Sequence, residues 1–190
     1  MNAADFRCHL LEALVQTASD EYKENIRTAG TLDDKAQKTG ATAGLFLAAG
    51  LAFIKTDNFG AAAPLNHLAG PSGLLLLAAS IGLLLVSTSL SLRVMWVRLV
   101  PSPPFFNALE ELTGDMLNLP EAELTLVRQE NFLRDQSKGW KAPLEAQVAL
   151  NGSKARNLRT SQVTLGLAII TVAILLLEMV TKAILYRLGG

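Results

Sequence analysis

Residues that close disulfides or grip transition metals are scarce in this 190-residue chain, which has one cysteine, Cys8, and two histidines, His9 and His67. A single thiol excludes an internal disulfide and a cysteine-rich zinc site. Neither histidine has a carboxylate or thiol at a spacing that implies metal binding. Cys8 and His9 are adjacent, and successive residues on a helix point about 100° apart, so they do not face each other as a thiolate–imidazole pair. Net charge is also lacking, because 17 basic residues balance 17 acidic ones. Nothing in the bulk charge suggests a nucleic acid polymer as partner. There is no glycine-rich phosphate loop of the Walker or dinucleotide type. Without an acid, base or nucleophile constellation the chain is not expected to be an enzyme, and no cofactor or metal is expected. A cleavable signal peptide is not expected either. Residues 1–38 carry seven acidic and five basic side chains and no continuous apolar core.

What the chain does have is three long apolar runs, residues 40–54, 73–92 and 163–177, the last extending toward Leu185 past Glu178 and Lys182. The hydrocarbon core of a bilayer is about 30 Å thick and takes about 20 mostly apolar residues to cross. The middle run meets that length outright. The other two meet it if Lys38, Lys55 and Lys182 snorkel to the interface. Strand-like alternation and solenoid-length repeats are both missing. The sequence therefore predicts an all-α membrane protein with about three transmembrane helices and a small cytoplasmic helical part. A soluble protein with buried core helices is the competing reading, and a charge-free stretch as long as 73–92 argues against it.

Four segments follow. Residues 1–30 read as an amphipathic cytoplasmic helix, with Phe6, Leu10, Leu14, Ala18, Tyr22 and Ile26 at four-residue steps along one face. Gly30 is the expected stop, and Thr31 caps a fresh helix whose Asp33 and Asp34 suit the positive end of its dipole. Residues 31–92 read as a hairpin of two spans, joined by a loop over 55–70, with Pro71 in the first turn of the second helix. Trp96 and Arg98 look like interfacial anchors, and the prolines at 101, 103 and 104 break the helix. Residues 93–160 read as a cytoplasmic insert with helices over 105–117 and 120–138. A third helix starts near Pro143, with Asn151-Gly152 as its weak point. Residues 161–190 hold the third span and a short tail.

Positive charge gathers on the cytoplasmic flanks of spanning helices. Arg27, Lys35 and Lys38 precede the first run, Arg93 and Arg98 follow the second, and Lys154, Arg156 and Arg159 precede the third. These assignments agree on a multi-pass protein with its N-terminus and residues 93–160 in the cytoplasm.

Three sets of residues could carry function. Gly40, Gly44, Ala48 and Ala52 form a small-residue stripe that permits close helix approach, either between copies or within the chain. Glu178 is an acid inside an apolar run, where a carboxylate is costly. Lys182 one turn later suits an ion pair, and a place on the wall of an oligomeric water-filled path is the other reading. Lys154, Arg156 and Arg159 could attract anionic lipid, or hold the phosphates of a nucleotide ligand together with Asn151 and Asn157.

The layout also resembles a family. An N-terminal helix, Asp33-Asp34-Lys35-Ala36 ahead of the first span, a second span, a cytoplasmic insert and Asn151–Ala155 ahead of the last span are similar to the small membrane effectors of bacterial anti-phage systems. In this the layout looks like that of transmembrane effectors that respond to cyclic nucleotides, and of the related two-helix conflict-system domains. The resemblance implies an inner-membrane protein of antiviral defence that binds a cyclic nucleotide, forms a homo-oligomer in the lipid bilayer and disrupts membrane integrity. A non-enzymatic scaffold or accessory subunit that docks a cytoplasmic protein is the alternative.

Overall fold

The computed structural model describes residues 3–55, 64–96 and 126–188. They form three helices: α1 (Ala3–Lys55), α2 (Pro64–Met95) and α3 (Leu126–Leu188). The all-helical expectation holds for these residues. The expected helix over 105–117, the start of that over 120–138 and the prolines at 101–104 lie outside them.

The punctuation read from single residues does not hold. Gly30 does not stop α1, and Thr31 sits in its interior rather than at a cap. Glycine in a helix costs about 1 kcal/mol relative to alanine, little beside the packing of a long seam. Likewise Pro71 lies inside α2, which begins at Pro64, and Pro143 lies inside α3, which runs unbroken through Asn151-Gly152. Each internal proline forfeits one backbone hydrogen bond. The Pro143 ring is buried in the seam.

The chain divides into two units, with boundaries after Gly30, Trp96 and Ser153. In the first (Met1–Gly30 with Val97–Ser153), α1 and α3 pair in parallel. Cys8 meets Leu126, Glu12 meets Gln129, Tyr22 meets Trp140 and Asn25 meets Asn151, so both numbers rise together. Over residues 8–29 of α1 the less exposed residues are Cys8, Leu11, Val15, Ala18, Tyr22, Asn25 and Ala29, with Ser19 beside Ala18. They alternate three- and four-residue steps, the 3.5-residue period of supercoiled helices. The expected four-residue face drifts off this seam: Phe6, Leu10, Leu14 and Ile26 are exposed, and only Ala18 and Tyr22 turn inward.

In the second unit (Thr31–Trp96 with Lys154–Gly190) all three helices pack. Ala36, Val94 and Leu158 form one layer, and Ala43, Leu84 and Ala168 another. From one layer to the next the numbers rise on α1 and α3 and fall on α2. So α2 runs antiparallel to the other two, and the α2 seam Leu77, Ser80, Leu84, Ser87, Ser91 and Val94 keeps the same period.

Among the described residues, two helices rather than three are long and apolar enough to cross a membrane, α2 over Pro71–Met95 and α3. The expected first span falls short because only 16 residues separate Lys38 from Lys55. At 1.5 Å per residue that is about 24 Å against about 30 Å of hydrocarbon.

Candidate functional site

Polar residues in the seams are the features most open to a functional reading. In the first unit the Asn151 amide donates to the backbone carbonyl of Asn25 at 2.8 Å and accepts from Gln147 at 3.4 Å. Both Gln147 and Asn151 are buried, so each amide needs such a partner. Cys8 is buried beside the Leu126 carbonyl. Burial pushes its thiol pKa up, and the negative charges of Glu130, Glu12 and Asp5 push it the same way. The thiol therefore stays protonated and unreactive at neutral pH. His9 lies 3.4 Å from Glu12 and not against Cys8.

In the second unit the Lys154 ammonium reaches both oxygens of Asp33, at 2.6 and 2.8 Å. The Lys154 side chain is 10% exposed and that of Asp33 40%, so the pair is open to water on the aspartate side only. Farther along, Ser161 donates to the Ser87 carbonyl at 2.8 Å, and its hydroxyl lies 3.0 Å from that of Ser87 and 2.8 Å from that of Ser91. All three serines are fully buried. Gly40 faces this cluster, because a Cβ there would come 3.1 Å from the Ser91 Cβ. At the other end of the apolar stretch Glu178 pairs with Lys182 at 2.5 Å and accepts from the Ser72 hydroxyl at 2.6 Å.

The residues singled out from sequence thus separate. The Asn151 amide nitrogen and the Lys154 ammonium bond to α1, whereas Arg156 and Arg159 are exposed. Of the small-residue stripe, Gly40 is closed against α2, a Cβ at Gly44 would meet nothing within 4 Å, and Ala48 is exposed along with Ala52. Sequence reasoning missed the Asp33–Lys154 pair and the serine cluster. Ser80, Ser87 and Ser91, spaced by seven and four in a charge-free run that also holds Thr88 and Ser89, were the available signal.

Chemically these clusters hold helices in register; they offer no nucleophile next to a base. No group of acids, histidines and thiol among the described residues could hold a metal ion. No protein-family model, curated protein or solved structure matches the chain.

Proposed function

We propose that the chain is a membrane-embedded helical effector that self-associates and perturbs the bilayer of a bacterial inner membrane on a cytoplasmic signal, in antiviral defence. One observation carries the membrane part. The most apolar windows of α2 and α3 are only 22% and 11% buried within the chain, where core helices of a soluble protein would be mostly covered. Polar side chains turned inward and apolar bulk turned outward are what a lipid solvent favours. The cations Arg93, Arg156 and Arg159 at one end of these helices support a cytoplasmic location for that end, and in this reading residues 39–54 of α1 accompany them. Self-association is supported by the uncovered Ala48 and Ala52. A cyclic nucleotide as the signal rests on the resemblance in layout alone.

A second reading, a membrane scaffold that docks a cytoplasmic protein, is favoured by the exposed row Phe6, Leu10 and Leu14, which lies outside the apolar segments. The two are separated by following membrane potential with a voltage-sensitive dye during phage challenge, in cells carrying the native neighbouring genes. Depolarisation that requires this chain supports the effector. Full phage sensitivity without depolarisation, together with a co-purifying partner, supports the scaffold.

A further inference from the structure

Ala36, Val94 and Leu158 mark one level across the three helices of the second unit. At 1.5 Å of rise per residue, side chains within two positions of these start within about 3 Å of that level. Lys35 on α1, Arg93 on α2, and Arg156 and Arg159 on α3 meet that condition, and all four are exposed. The acids nearby are already engaged, Asp33 by Lys154 and Asp34 by Lys38. Among the described residues, none of the four cations has an acidic side chain within ion-pair distance. A level with four uncompensated cations, spread over three helices, borders the apolar segments of α2 and α3.

We infer that this level is a belt that binds the phosphodiester headgroups of anionic phospholipids. The inference rests on the bilayer reading above and adds the lipid class that the chain prefers. A free nucleotide offers the same phosphodiester chemistry, but two features select lipid. The four cations are distributed over three helices instead of being grouped on one loop or turn. Exposed apolar side chains also adjoin them, Leu92 and Trp96 on either side of Arg93 and Val163 one turn beyond Arg159. A headgroup and its acyl chain are met together there; a soluble nucleotide would satisfy only the charges.

The test uses the full chain reconstituted in phosphatidylcholine bilayers, with trace spin-labelled phosphatidylglycerol or phosphatidylcholine reporting the motionally restricted lipid shell. Phosphatidylglycerol should be enriched about threefold or more over phosphatidylcholine, given the attraction of each interfacial cation. High salt should reduce that preference, and a variant combining K35Q, R93Q, R156Q and R159Q should abolish it. The substitutions are at exposed positions, so helicity by circular dichroism should stay as in the parent. Inorganic phosphate at matched ionic strength should not displace the labelled lipid; displacement would mean a site for free phosphate and overturn the lipid assignment. Equal association of the two labelled lipids, in protein that floats with the vesicles, would overturn the inference alone. Protein that fails to float with the vesicles would overturn the bilayer reading beneath it.

Discussion

The same three-and-four period is filled with different residues in the two units. In the first, the seam holds Leu11, Val15, Tyr22, Leu133 and Trp140 beside the amides Asn25, Gln147 and Asn151. In the second, Ala36, Gly40, Ala43, Ser80, Ser87, Ser91, Ser161 and Ala168 share the seam with Leu84, Val94, Leu158 and Leu175, while Leu45, Leu75 and Leu177 are about 70% exposed. The contrast follows from the solvent proposed for each. Water penalises exposed apolar area, at about 25 cal/mol per Å², so bulk goes into the seam. Lipid does not penalise it, so helices associate through close approach and hydroxyl hydrogen bonds, and small residues go in.

The most damaging way to test that contrast is to put bulk where the seam is small. Ser161→Leu overfills a fully buried position and removes the hydroxyl that joins Ser87 and Ser91. We expect a loss of about 3 kcal/mol, read as a lowered thermal midpoint in detergent. An unchanged midpoint would mean that the serine cluster is not a packing site.

Truncating the bulk of the first unit should come next. Trp140→Ala removes the ring packed 5.6 Å from that of Tyr22 and should cost about 2 kcal/mol, since Trp140 is only half-buried. Hydrogen exchange at amides 126–153 should accelerate. Exchange left as in the parent would show that aromatic bulk does not hold this pairing.

Lys154→Ala leaves the Asp33 carboxylate without its cation. Asp33 is 40% exposed, so water recovers part of the loss and about 1–2 kcal/mol is expected. Pairing Asp33→Asn with Lys154→Gln should recover most of it, because no charge is then stranded. A double variant as unstable as the single one would contradict an ion-pair role.

Smaller still is the difference between two glycines of the same stripe. Gly40→Ala should destabilise by about 0.5–1 kcal/mol, because its Cβ presses on Ser91, whereas Gly44→Ala meets open space and should be neutral or slightly stabilising. Equal effects would place the close approach elsewhere.

The gentlest probe is pH. The folded Cys8 thiol has its pKa raised above the unfolded value, chiefly by burial. Its contribution to stability is therefore complete below the unfolded thiol range and declines as pH rises through the folded value. Cys8→Ala should flatten that alkaline decline, and iodoacetamide should label Cys8 far more slowly in the native chain than in denaturant. Fast native labelling would show the thiol to be open.

Helical class, the apolar stretches on α2 and α3, and the spacing of Glu178 and Lys182 were legible in the residues, because helix periodicity, run length and i,i+4 pairing are local properties. Gly30, Pro71, Pro143 and Asn151-Gly152 misled for the complementary reason. Their local preference is worth about 1 kcal/mol for glycine and about 3 for proline, and long-range packing of the helices outweighs it. Residues 40–54 alone could not show whether their shortness matters, since that depends on what α1 packs against. That Lys154 pairs with Asp33 was decided only by the tertiary structure. More than a hundred positions separate those partners in sequence, and only the parallel packing of α1 against α3 brings them within 2.6 Å.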